Sequence, residues 1–414
     1  MSNLIEMGKK AREAAGILAI EKTEKKDIAL EIIADLLIER SADIIEANRI
    51  DIENGRDNNM RESLIDRLAL DEKKIEQIAD GLREIIDLED PVGEFVERWK
   101  RPNGLIISKM RVPIGVIGMI YEARPNVTVD ASGLCLKSGN VVILRGGSDA
   151  INSNKALVKI IQEGLVKAEL PINAVQLLED TSRETASEMM RLNDYIEVLI
   201  PRGGAGLIKS VVNNATIPVI ETGTGNCHIF VEASADFALA TKIVVNAKTN
   251  RPSVCNAAES LLVDKKIYKE YLPLVISALK EKGVEIRGDE YVREVCSDCI
   301  EATEEDWAEE YGDYIMAVKV VDGVDEAIKH INKYGTRHSE CIVTKDVDKA
   351  RKFQYSIDAA TVYMNASTRF TDGFEFGFGA EIGISNQKLH ARGPLGLKEL
   401  TTIKYLIDGQ GQIK

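Results

Sequence analysis

Cys255 stands in the run TNRPSVCNAAES, residues 249–260, a polar stretch of small residues between a helical pattern and an apolar one. Structural thiols sit inside apolar runs, as Cys135 and Cys341 do in this sequence, and Cys255 does not. A free thiol of pKa about 8.5 is only a few per cent thiolate at neutral pH. Lys248 and Arg251 would raise that fraction if they converge on the sulfur. The pattern fits a nucleophile and also an inert loop cysteine. In VIETGTGNCHIF, residues 219–230, Glu221 falls at the carboxyl end of a short strand, where a carboxylate in a cleft acts as a base. An N-cap or a surface charge fits the same position. Two loops, RGGSDA (145–150) and PRGGAG (201–206), are rich in glycine and each holds an arginine. Backbone N–H groups at a helix start beside a guanidinium suit a phosphate, although Gly-Gly loops also serve as plain turns.

Other chemistries have less support. No GxGxxG follows a strand and no GxxxxGK[ST] occurs, so the usual dinucleotide and P-loop fingerprints are absent. Cys296 and Cys299 form a CxxC, but no second ligand pair lies at zinc spacing and the four histidines contain no HxxxH, so no metal site is expected. The six cysteines are scattered through a large chain with no export signal, and reduced thiols are the expectation. His330, on a helical stretch before Tyr334, reads as a packed histidine, and His338 at a strand start reads as the better candidate for a cleft.

These residues need a scaffold. With 414 residues, 44% hydrophobic and 29% charged, the chain is globular and long enough for two or three packed units. A formal net charge of -14 disfavours nucleic acid and anionic membranes as partners. No apolar run approaches the roughly 18 to 20 residues that span a bilayer, and the N-terminal stretch carries charges where a signal peptide needs a clean core. A soluble intracellular chain is expected. The first hundred residues read as helices, with Ile28, Ile32, Ile33, Leu36 and Leu37 on one face, and Ile75, Ile78, Leu82, Ile85 and Ile86 on another after Asp71 as N-cap. Strands follow at 105–110 and 114–120, and short apolar runs then alternate with helical segments, first to about residue 225 and again from 226 to 364. Such alternation predicts an α/β fold with two parallel sheets in series, whose ligands bind at the carboxyl ends of strands. The acidic run EATEEDWAEEYGD, residues 301–313, reads as a solvated loop or helix face.

The order PIGVIGMIYEARPNVTVDAS, SGNVVILRGGSDA, PRGG, ETGTGNCHIFVEASAD and NRPSVCNAAESLLV, followed by VDGVDEAIKHINKYGTRHSECI, resembles the gamma-glutamyl phosphate reductase family of the aldehyde dehydrogenase superfamily over nearly the whole chain. The resemblance implies an aldehyde dehydrogenase-like fold: an NADP-binding domain from 1–100, 113–225 and 373–394, a catalytic domain over 226–372, and a small β oligomerisation arm from 101–112 and 395–414. It further implies reduction of L-glutamyl 5-phosphate to L-glutamate 5-semialdehyde, the second step of proline biosynthesis, in a cytoplasmic homodimer or homotetramer, with a separate glutamate 5-kinase supplying the acyl phosphate. The family nucleophile falls on Cys255 and the oxyanion-binding asparagine on Asn126. Glu221 matches the glutamate that activates water in oxidative relatives, a duty this reaction does not need, and ETGTG replaces the commoner ELGG there. Arg145 and Ser148 take the places of a ribose-binding lysine and glutamate, an exchange that favours the 2′-phosphate of NADPH. Gly203 and Gly204 fall in the cofactor-side loop. Arg251, His338 and Arg369 are the candidates for gripping the substrate.

Overall fold

The computed structural model describes residues 2–122 and 124–414, so Ala123 of the EARPN run lies outside the described residues. The chain has an α/β fold and divides into two compact units: Met1–Thr222, Gly377–Gly383 and Leu395–Lys414 in one, Gly223–Phe376 and Ile384–Pro394 in the other. The sequence reading drew these limits elsewhere. Residues 223–225 belong to the second unit, and of the 373–394 return only Gly377–Gly383 packs with the first.

The first unit opens with helices Ser2–Leu18, Thr23–Glu39, Ser41–Asp57, Glu62–Leu68 and Glu72–Ile86. In Thr23–Glu39 the buried stripe is Ala29, Leu30, Ile33, Ala34, Leu36 and Leu37. Ile28, expected inside, is exposed, because it falls outside the stripe of positions 26, 29–30, 33–34 and 36–37 that packs inward. Asp71 is the N-cap of Glu72–Ile86, and its side chain accepts from the Lys74 N–H at 2.7 Å. Removing a capping carboxylate costs about 1 kcal/mol, so Asp71→Ala should lower the thermal unfolding midpoint while leaving turnover unchanged. An unaltered midpoint by circular dichroism would show the cap to be dispensable.

These helices precede a four-stranded parallel sheet in the order Val175–Leu177, Val141–Arg145, Val116–Tyr121, Val198–Arg202. The first strand of this sheet along the chain, Val116–Tyr121, therefore lies inside the sheet with later strands on both sides. That arrangement makes a topological switch point at its carboxyl end, where open α/β sheets form their ligand crevice. The three longer strands are almost wholly buried, as expected for a sheet covered on both faces. A separate antiparallel sheet, in the order Phe95–Lys100, Ile106–Pro113, Thr401–Asp408, forms the small arm. Phe95–Lys100, which the sequence groups with the N-terminal helices, is thus an arm strand.

The second unit holds a seven-stranded, wholly parallel sheet: Ile300–Glu301, Glu285–Gly288, Ile315–Val321, Ala258–Asp264, Cys227–Val231, Ser339–Val343, Thr361–Met364. Ala258–Asp264, Cys227–Val231 and Ser339–Val343 are buried along their full lengths. One face packs on Tyr271, Leu272 and Val275, and the other on Phe353 and Ile331. Cys296 and Cys299, expected as reduced thiols, are joined in a disulfide. The turn after helix Glu290–Val295 folds the Cys299 N–H onto the Cys296 carbonyl at 3.2 Å and brings the two Cα atoms to 5.6 Å, within bridging range.

Candidate active site

The cysteine loop runs from the end of helix Phe237–Thr249 to the start of strand Ala258–Asp264. It is fastened on several sides. Asn256 donates to the carbonyl oxygens of Thr371 (2.9 Å) and Arg369 (3.3 Å), while the Thr368 hydroxyl donates to the Asn256 carbonyl at 2.7 Å. The Arg369 guanidinium reaches the side-chain oxygens of Asn256 and, at 3.3 Å, Asn250. It therefore bridges the two ends of the loop.

Cys255 is the half-buried member of the four free cysteines, and Cys135, Cys227 and Cys341 are buried. Burial pushes the Cys135 and Cys341 thiols up to about 12 and Cys227 well above the ordinary range, so those three stay protonated and unreactive. The Cys227 thiol donates to the backbone carbonyl of Cys255 at 3.2 Å. The Arg369 guanidinium is less basic than usual, through burial and then the charge of Arg251, with Asp372 and Cys255 acting in the opposite sense. Arg369 thus feels the charges of both Arg251 and Cys255. Lys248 does not join them. It is fully buried in an ion pair with Glu259 at 2.5 Å, and burial lowers its basicity while raising the Glu259 carboxyl.

His338, expected at a cleft, is buried behind the loop: its Nδ1 lies 2.8 Å from the Ser339 hydroxyl and 3.8 Å from the Cys227 sulfur. The Ser339 hydroxyl bonds in turn to that of Thr371 at 2.7 Å, and Thr371 to the Tyr363 hydroxyl at 2.8 Å. The imidazole thus belongs to the support beneath the cysteine loop. His330 is the packed histidine the sequence suggested. It lies among Trp307, Tyr334 and His228, and burial, then His228, pushes it down to about 3.

In the first unit, Asn126 occupies the first turn of helix Pro125–Lys137, after a proline whose missing N–H is harmless there. Its amide nitrogen donates to Asp130 Oδ2 at 3.0 Å, one turn on. Burial raises the Asp130 carboxyl to about 6 against the pull of Asn126 and Arg202. Glu221 is half-buried and follows Val219, which makes an isolated parallel bridge to Leu199, so the strand expected before Glu221 is reduced to that bridge. Arg145 ends strand Val141–Arg145 and donates to the carbonyls of Thr181 (2.6 Å) and Ser182 (3.3 Å). Its Nε–H is buried with no acceptor among the described residues, a donor that a ligand oxygen would satisfy. Ser148 is exposed at the start of the short helix Ser148–Ala150. Gly203 and Gly204 link strand Val198–Arg202 to helix Ala205–Asn214. Glu122 Oε2 accepts from the Gly204 N–H at 3.1 Å, and a Cβ on Gly203 would lie 2.6 Å from that same oxygen.

Residues 3–293 and 299–405 match the aldehyde dehydrogenase family. Gamma-glutamyl phosphate reductases from Clostridium beijerinckii and Caldicellulosiruptor bescii are 61% and 59% identical to the chain, each alignment covering all of both proteins. The crystal structure of the Thermotoga maritima gamma-glutamyl phosphate reductase superposes with a TM-score of 0.98 at 55% identity, over 99% of each chain. The chain belongs to the aldehyde dehydrogenase family. An acetylating aldehyde dehydrogenase from Geobacillus thermoglucosidasius, 16% identical with a TM-score of 0.71 over 100% of this chain and 98% of its own, shares the fold.

For an aldehyde dehydrogenase, two features here escape sequence reasoning. Glu122 is a carboxylate held at a glycine loop that reads as a phosphate cradle, and only its place at the end of a strand hints at it. The acidic segment 301–313 is largely exposed, as its charge suggests, but part of it packs inward. Asp306 and Trp307 are buried, and Asp306 accepts from the Thr303 N–H (2.7 Å), the Arg287 guanidinium (2.8 Å) and the Tyr311 hydroxyl (2.7 Å). Burial alone would raise the Asp306 carboxyl, but those donors outweigh it and hold the group at about 2.

Proposed function

We propose that this enzyme reduces L-glutamyl 5-phosphate to L-glutamate 5-semialdehyde with NADPH, releasing inorganic phosphate, through a covalent bond to Cys255. The observation that carries the reading is Cys255 itself: a half-buried thiol on a polar loop braced by Arg369, in a chain whose other free thiols are buried. Full-length relatives named gamma-glutamyl phosphate reductase support the substrate.

The Cys255 thiolate attacks the acyl carbon, the bond from that carbon to the phosphate oxygen breaks, and phosphate leaves as a thioester forms. Arg251 and Arg369 suit the departing dianion, because a guanidinium offers paired donors to phosphate oxygens. NADPH, when bound, would supply the hydride that reduces the acyl carbon of the thioester. The resulting thiohemiacetal collapses, the carbon–sulfur bond breaks, and aldehyde departs from a regenerated thiolate. Asn126, with the Cys255 backbone N–H, holds the oxyanion of each tetrahedral stage. Glu221 assists proton transfer at Cys255. Arg145, with its unsatisfied Nε–H, and Ser148, carrying no opposing charge, fit the 2′-phosphate of NADPH, with Gly203 and Gly204 allowing close backbone approach. His338 keeps the cysteine loop in place.

The arm strands leave Phe95, Val96, Tyr405 and Ile407 exposed, and a three-stranded sheet with such side chains in water supports a homodimer or homotetramer. No helix of the described residues is long and apolar enough to cross a membrane, which accords with a cytoplasmic enzyme fed by a separate glutamate 5-kinase.

The test is the reverse reaction. With glutamate semialdehyde and NADP⁺, cofactor reduction should require inorganic phosphate and should be much slower with NAD⁺. Equal rates without phosphate would make the enzyme an oxidative aldehyde dehydrogenase instead.

A further inference from the structure

We propose that Glu310 is a positioning residue for the nucleophile, acting through the backbone of Gly225; the inference rests on the reading of Cys255 given above. Glu310 Oε1 accepts from the Gly225 N–H at 2.9 Å, a bond strengthened by the carboxylate charge. Gly225 lies directly against the nucleophile's peptide. A Cβ built on it would fall 1.5 Å from the Cys255 carbonyl oxygen and 2.6 Å from the Cys255 Cα, so only glycine lets the two segments meet. Two residues on, the Cys227 thiol donates to that same carbonyl. The peptide that carries the reactive sulfur is thus boxed in by residues 225 and 227. Any shift of Gly225 is passed directly to Cys255.

Glu310 can hold Gly225 because its own segment is anchored on both sides. Before it, the Trp307 carbonyl accepts from the Asn226 amide at 2.8 Å, and Asp306 gathers Thr303, Arg287 and Tyr311. After it, the Gly312 N–H donates to Glu259 Oε1 at 3.0 Å, and Glu259 is locked to Lys248 in the buried ion pair. Asn226 is further tied through its N–H to the Thr336 hydroxyl at 2.9 Å. The loop that backs Cys255 is irregular, so side chains must supply the order that a strand ladder would otherwise give it. Glu310 contributes one such bond at the residue in closest contact with the nucleophile.

The experiment compares Glu310→Ala, which removes the acceptor, with Glu310→Gln, whose amide oxygen can take its place, and with Glu309→Ala at the exposed neighbouring position. In the full-length enzyme Glu310→Ala should lower kcat about 10-fold with KM nearly unchanged, since small misplacements of a reacting group cost rate more than binding. The rate of Cys255 alkylation by iodoacetamide, with the site read by mass spectrometry, should fall in parallel. Glu310→Gln should keep both rates within about 3-fold of wild type, Glu309→Ala should match wild type, and thermal midpoints should agree throughout. Wild-type alkylation and kcat in Glu310→Ala would overturn the proposal, as would equal losses in both Glu310 variants with a lowered midpoint. Because alkylation needs no substrate, it tests Glu310 even if the reductase assay itself fails.

Discussion

Cys255→Ala should abolish turnover, with a loss of at least about 10⁴-fold, while NADPH binding by fluorescence stays unchanged. Removing a nucleophile removes the covalent route altogether, and losses of this size follow when a catalytic unit is broken. No other thiol can stand in. Cys135 and Cys341 are buried with their pKa values driven to about 12 by desolvation, and the Cys227 thiol is equally buried and donates to the Cys255 carbonyl. Alanine keeps the backbone carbonyl that accepts from Cys227 and leaves the bonds of Asn256 to Thr368 and Thr371 in place, so the fold should survive. Cys255→Ser should be nearly as inactive, because an alcohol at neutral pH is a far weaker nucleophile than a partly ionised thiol. A variant retaining more than about a hundredth of wild-type kcat would place the chemistry on another group.

Much of this architecture can be read from the residues, and the failures have physical causes. The central strands, such as Ala258–Asp264 and Val141–Arg145, are short apolar runs because both faces of a parallel sheet are covered. Ile300–Glu301 is too brief and exposed an edge strand to carry a pattern, and Glu285–Gly288, although paired on both sides, is four residues long with two charged side chains. Phe95–Lys100 is exposed along most of its length and so lacks a hydrophobic alternation. At the site, Cys255 was visible from its polar surroundings. Glu310 was not, since its partner Gly225 lies 85 residues away and an acidic run looks solvated whenever its partners are distant in sequence. Lys248 misled for a related reason: nearness along the chain suggested Cys255, whereas the buried Glu259 claims it in space.

Asn126→Ala should lower kcat by about 10²- to 10³-fold and move KM by no more than a few-fold, as expected when one donor to a developing oxyanion is lost. The asparagine is prepared for this duty. It sits on the rigid first turn of a helix, and its bond to Asp130 fixes the plane of the amide, so little reorganisation is needed as charge builds on the substrate oxygen. An amide nitrogen carries two N–H donors, and Asp130 accounts for one. Asn126→Asp makes the argument sharper. An ionised carboxylate has no proton to donate and would repel the oxyanion, and it would also face Asp130 Oδ2, to which the Asn126 amide now donates at 3.0 Å. Asp at this position should therefore depress kcat at least as far as alanine does and lower the thermal midpoint as well. If both variants turned over at the wild-type rate, Asn126 would be a helix-start residue with no part in the chemistry.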